Sequence, residues 1–150
     1  MIITSEVIKN TVVKRLIEVY PNIVTYKEAI TSPIYPNFFV NLLQVNCEEQ
    51  RKGKFILSFN FEIRYRHIAD PTTDLKIQQD LDDVGIKLMS AFHFIMLNDL
   101  VIKCEDKYYE KVDGVLHFFF NLKEMVENPP NEEYIKQNKL QLTQELKYGN

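Results

Sequence analysis

Apolar and polar residues alternate from Phe55 to Arg66, with Ile56 the one exception. Phe55, Leu57, Phe59, Phe61, Ile63 and Tyr65 fall on one side, and Ile56, Ser58, Asn60, Glu62, Arg64 and Arg66 on the other. Successive side chains of an extended chain point to opposite faces, so this period of two predicts a long strand with one buried and one wet face. Residues 37–46, Asn-Phe-Phe-Val-Asn-Leu-Leu-Gln-Val-Asn, carry apolar groups on both sides, which predicts a central strand. Between the two lies a polar run, Cys47-Glu48-Glu49-Gln50-Arg51-Lys52-Gly53, expected to be the loop at a hairpin tip. Asp113-Gly114 predicts a second, tighter hairpin of type I′, because both central residues of that turn need positive φ. Residues 100–112 before it give one or two strand segments, interrupted by Glu105-Asp106-Lys107. Residues 115–126 after it return as a strand with Leu116, Phe118, Phe120 and Leu122 on the core face.

Two stretches follow the helical period instead. Ile8, Val12, Leu16 and Val19 mark one face of a helix over residues 5–20, with Thr4 or Ser5 as cap, Glu6 in its first turn and Pro21 as stop. Ile77, Leu81, Val84, Leu88, Phe92 and Ile95 extend the same rule over residues 73–96, after a cap at Asp70 or a following Thr. Gly85 sits beside that stripe, and close packing against the sheet explains a glycine in mid-helix. Residues 22–36 form a linker with a short strand at 23–26, and Pro33 and Pro36 keep the rest irregular. The order helix, strands, helix, strands, joined by hairpins, predicts an α+β fold with a mainly antiparallel sheet and two helices on one face.

Composition agrees with one core. The chain has 150 residues, 45% hydrophobic and 26% charged, which excludes a disordered or low-complexity protein and suits a single domain. Its 10 Phe and 8 Tyr lie mostly before residue 121, and the character changes at Asn128-Pro129-Pro130. We expect residues 1–127 to form the domain and residues 128–150 a C-terminal arm. Tyr134, Ile135, Leu140, Leu142 and Leu146 are too few to build a core of their own, so the arm either frays or docks on another subunit.

Chemistry is sparse. The net charge is −3, and Arg15, Arg51, Arg64 and Arg66 are scattered among acids, so no basic stripe for nucleic acid is present. Cys47 and Cys104 are too few for a disulfide framework or a zinc site, and are expected as buried or half-buried free thiols. His67, His93 and His117 lack metal-ligand spacing, with His93 placed on the long helix and His117 on the wet face of the last strand. The 4 glycines exclude a phosphate-cradling loop. Asp80, Asp82 and Asp83 are expected on a solvated helix face, with Lys76 and Lys87 four residues away. No signal peptide or membrane span is evident, which implies folding in the cytoplasm. No catalytic, cofactor or metal site is assigned.

Several packing and turn signatures together resemble one family. They are Val19-Tyr20-Pro21 at the helix stop, Pro36-Asn37-Phe38-Phe39-Val40 running into Leu42-Leu43, and Phe61-Glu62-Ile63-Arg64-Tyr65. The most specific is Val112-Asp113-Gly114-Val115-Leu116-His117-Phe118-Phe119, followed by Gln137-Asn138 in a polar arm. In this order, over about residues 3–140, the chain resembles the tail terminator proteins of tailed phages and phage-tail-like particles of Gram-positive bacteria. The resemblance implies a structural virion protein, assembled in the host cytoplasm. It would form a ring, usually hexameric, that caps the head-proximal end of the tail tube and meets the neck and, in contractile tails, the sheath. DNA would pass through without specific binding. Tyr134, Ile135, Asn138, Leu140 and Leu142 are the expected subunit contacts, and Glu48, Glu49, Arg51 and Lys52 the expected contacts with tube or lumen. The competing readings are a head–tail joining or tail-completion protein, a small α+β enzyme using His93 or Cys104, and a ligand-binding module.

Overall fold

Thr4 opens the first helix: its side-chain oxygen accepts the Val7 backbone N–H at 3.1 Å, satisfying one of the helix's orphan donors. This helix, α1 (Ser5–Val19), buries Ile8, Val12 and Leu16 and ends at Tyr20, ahead of Pro21. The strands β1 (Val24–Tyr26), β2 (Asn37–Arg51) and β3 (Lys54–Arg66) follow, then α2 (Leu75–Ala91), β4 (Phe94–Leu97), β5 (Leu100–Val112) and β6 (Val115–Glu127). The computed structural model describes residues 4–68 and 75–127. The expected cap of the second helix at residues 70–73 and the arm at 128–150 lie outside the described residues.

The strands form one six-stranded sheet in the order β1-β2-β3-β6-β5-β4. Every neighbouring pair is antiparallel except β1 and β2. The α+β expectation therefore holds. The long pairing of β3 with β6 sets Phe61 opposite Phe120, Ile63 opposite Phe118 and Tyr65 opposite Leu116. Because the side-chain period is two, that register puts both apolar rows on the same face. Phe59, Phe61, Ile63, Leu116, Phe118, Phe120 and Leu122 are all buried there. They join Ile8, Val12 and Leu16 from α1 and Leu81, Val84 and Leu88 from α2 in one hydrophobic cluster. Phe61 and Phe120 stack with ring centroids 5.5 Å apart.

Several expectations are corrected. The second helix does not run to residue 96: it ends at Ala91, and Phe94–Leu97 forms β4, so Ile95 enters the core from a strand and His93 lies off the helix. Its stripe at Leu81, Val84 and Leu88 is buried as expected. Asn98 then turns the chain into β5 with φ 55°. Pairing with β5 offers Ile95 and Leu97 a buried face with period two, which competes with the helical spacing of Leu88, Phe92 and Ile95. The hairpin tip is also shorter than expected. Strand pairing continues through Cys47, Glu48 and Glu49 to Arg51, opposite Lys54, and only Lys52 and Gly53 turn. Charged residues suit an edge strand, where their side chains stay wet. Among the described residues, β2 has a strand on both sides only along Asn37–Phe39, where β1 pairs with it, and not over the whole of residues 37–46 as expected.

The second hairpin is as expected: Asp113 and Gly114 have φ 52° and 75°. The charged Glu105-Asp106-Lys107 run does not end β5. It is absorbed by a bulge between Glu105 and Tyr108, where Asp106 takes φ 53°.

Candidate assembly surface

The β2–β3 hairpin reaches beyond the most densely buried part of the sheet. Phe59, Phe61, Ile63 and Tyr65 are buried, whereas Phe55 and Leu57, nearer the turn, are half-buried. Glu48, Glu49, Arg51 and Lys52 are all exposed here, and the structure brings the four together at one end of the sheet. The five residues expected as subunit contacts, Tyr134, Ile135, Asn138, Leu140 and Leu142, lie outside the described residues. The other end of the sheet presents Phe94 and Met96 on β4 and Val101 on β5, all exposed. Sequence reasoning missed this strip because it assigned residues 94–96 to a helix.

The titratable groups mostly hold the domain's own elements together. Asp80 on α2 accepts a hydrogen bond from the Tyr65 hydroxyl at 2.8 Å and contacts His67 Nδ1 at 2.7 Å. Asp82 accepts from Lys111 Nζ at 2.9 Å and from the Tyr109 hydroxyl at 3.1 Å. Those bonds, Lys111's first, hold the Asp82 carboxyl below its usual range although partial burial opposes them. Asp80 and Asp82 thus fasten α2 to β3 and β5, whereas Asp83 is exposed as expected. Lys87 lies over the Tyr20 ring, 4.4 Å from its centroid. Tyr65 is held above its normal range first by burial and then by the bond to Asp80.

The helix-free face of the sheet carries a second polar group. Glu62 is buried, accepts from Arg64 Nε at 2.8 Å, and contacts His117 Nδ1 at 3.0 Å. His117 is therefore half-buried and paired, not simply wet. Arg64 also sits 5.7 Å from the Phe39 ring centroid. His93 meets Phe94 edge-on at 4.4 Å. Burial pushes the Cys104 thiol up to about 12, while Cys47 is exposed on β2, against expectation. Among the described residues no cluster of His, Cys, Asp and Glu is placed to hold a metal ion, and no helix is long and apolar enough to cross a membrane.

Among the described residues, Asp80 and Asp82 fasten α2 to the sheet, Glu62 pairs with Arg64 and His117 on the opposite face, and the β2–β3 hairpin tip stands exposed. The family model described as phage tail terminator protein matches residues 7–134, and the chain belongs to that family. It is accordingly a structural component of the phage tail, of a family of virion proteins and not of enzymes. Comparison with curated proteins finds no match.

Proposed function

We propose that the protein forms a closed ring, hexameric by resemblance to its family, on the head-proximal end of the tail tube. The ring stops tube polymerisation and offers the surface on which the neck, and in a contractile tail the last sheath layer, is built. The observation that carries this reading is the family match over residues 7–134. The hairpin geometry supports it: Glu48, Glu49, Arg51 and Lys52 gather on one exposed tip, suited to a polar contact with the tube or the lumen wall. Residues 1–127 act as the domain. Residues 128–150 act as an arm that packs on the neighbouring subunit through Tyr134, Ile135, Asn138, Leu140 and Leu142. Assembly takes place in the host cytoplasm. A net charge of −3 is compatible with DNA passing the ring without sticking, since like charge repels phosphate.

The test is to add the purified full-length chain to polymerising tail tube protein. A terminator blocks elongation at one end of each tube, seen by electron microscopy as short tubes capped at that end. Tubes that keep growing while the protein binds a finished tube or an isolated neck would assign it to tail completion or head–tail joining instead.

A further inference from the structure

The end of α2 has no local cause. Its last turn holds no basic residue. The sequence from Ile86 to Val112 contains neither glycine nor proline. Among the described residues, positive φ at non-glycine positions occurs at Asn98, Asp106 and Asp113. Neither Phe92 nor His93 therefore makes the left-handed cap that commonly closes a helix. The spacing of Leu88, Phe92 and Ile95 asks the helix to continue, and Asn98 is the first local stop signal beyond them. Yet the helix ends at Ala91.

Two cations from distant segments meet its last carbonyls. Arg15 on α1 donates to Ala91 O from Nη2 at 2.9 Å and from Nε at 3.3 Å. Lys107 on β5 donates from Nζ to Met89 O at 2.8 Å. A continuing helix needs these same two acceptors for the N–H groups of Ile95 and His93, because each helical N–H bonds the carbonyl four residues earlier. Charge-assisted bonds are about twice as strong as neutral ones, and a cation is favoured at the negative end of a helix. A longer helix would carry that end away from both cations. Each cation is also aimed. Glu18 Oε2 holds Arg15 Nη1 at 3.3 Å. In the β5 bulge Asp106 and Lys107 together stand against Phe120 and part to opposite sides. Asp106 accepts from Asn121 on the helix-free face, while Lys107 reaches α2.

We propose that Arg15 and Lys107 together act as the stop of α2, a conformational device that assigns residues 92–97 to the sheet. With both cations in place, His93 O is left to accept the Cys104 N–H at 2.9 Å, and Phe94–Leu97 pairs with β5 as the outermost of six strands. Without them α2 runs on to Asn98, and β5 becomes the last strand on that side. Phe92 and Ile95 are buried in the sheet form and also fall on the α2 stripe, so burial of these two does not choose between the forms. The choice falls to the carbonyl partners, which arrive only when α1 and β5 have docked. The device belongs to the single chain and does not depend on ring formation.

The experiment combines Arg15→Gln with Lys107→Gln in the full-length chain, isotope-labelled for NMR. The Cα chemical shifts of residues 93–96 lie above random-coil values in a helix and below them in a strand. Wild type should show strand values. The double variant should show helix values there, with the Cys104 N–H exchanging about tenfold faster or more, while Phe61 and Phe118 keep strand values. Strand values at 93–96 in the folded double variant overturn the proposal, and so do random-coil values, which would mean that the cations only steady β4. If the double variant does not fold, His93→Gly is added to it, because glycine at this exposed position opposes helix continuation without any cation. Recovery of the folded sheet then supports the stop, and failure to recover overturns it.

Discussion

The ring of Tyr109 on β5 lies directly against Gly85 on α2. A methyl group placed on Gly85 would meet Cδ1, Cδ2 and Cε1 of that ring at 2.8, 2.9 and 2.9 Å, closer than carbon atoms approach. The ring cannot move away freely, because its hydroxyl is bonded to Asp82 on the same helix. Gly85 thus sets how near the helix comes to the sheet.

Gly85→Ala is therefore expected to destabilise. Alanine gains about 1 kcal/mol of helix propensity, but overpacking costs typically about 1–3 kcal/mol, and here the clash involves three ring atoms. Urea unfolding should show a net loss of about 1 kcal/mol or more. In a Tyr109→Ala background the same change should turn neutral or stabilising. A loss of equal size in both backgrounds would show that the ring is not the cause.

Phe120 is 1% exposed and touches the rings of Phe61, Phe92 and Phe118. Truncation leaves a cavity bounded by rigid aromatic neighbours, so Phe120→Ala should cost about 3–5 kcal/mol. Thermal unfolding with an unchanged midpoint would contradict the packing.

Stability should fall on the alkaline side. Burial raises Cys104 from 9.0 to about 12, and Tyr20, Tyr65 and Tyr109 are likewise raised, mainly by burial. In that range the unfolded chain loses these protons first, so the folded state binds more protons and ∂ΔG/∂pH is negative. The contribution from Cys104 is complete below pH 9.0 and declines toward about pH 12. Urea midpoints at pH 7 and pH 10.5 should differ, and Cys104→Val should reduce that difference. In native protein a thiol reagent should label exposed Cys47 quickly and Cys104 only on unfolding.

The acid side has the opposite sign. Asp82 is lowered, chiefly by Lys111, so its stabilisation is present above the ordinary carboxylate range and is lost as pH falls through the folded value. The pair is partly exposed, so Lys111→Ala should cost only about 0.2–1 kcal/mol at pH 7. That cost should shrink toward zero at pH 2.5, measured by denaturant titration.

The buried cluster spans Ile8 to Leu122, so removal of residues 129–150 should leave a folded domain. On the arm reading, the truncated chain keeps its circular dichroism spectrum and cooperative unfolding but no longer forms rings by light scattering or on tubes. Rings of unchanged size would reject the arm as a subunit contact.

Much of the fold was legible in local patterns. The alternation from Phe55 to Tyr65, the stripe at Ile8, Val12 and Leu16, and Asp113-Gly114 each encode a geometry within a few residues. Each appears in the structure, except that the face of β3 expected to be wet is half-buried, with Glu62 buried in it. Gly85 announced close packing in the same way, although only the fold identifies Tyr109 as what it packs against. Where two periods competed, the local signal failed. Leu88, Phe92 and Ile95 fit a helix, but Ile95 and Leu97 also fit a strand, and pairing with β5 decided in favour of β4. The candidate assembly surface was legible only in part: the charged hairpin residues were found, while the Phe94, Met96 and Val101 strip was hidden by that same error.

The sequence by itself determined the element types, the core faces, the tight turn and a set of signatures resembling the tail terminators. Those properties follow from side-chain period, backbone sterics and residue order, all carried by neighbours along the chain. Tertiary structure alone decided which partners the charges take. Asp80 turns to Tyr65 and His67, Asp82 to Lys111 and Tyr109, and Glu62 to Arg64 and His117. It also decided the order in which the described strands lie side by side. Both depend on how distant segments are stacked, and hydrogen-bond and ion-pair partners across a sheet leave no period in the sequence that joins them.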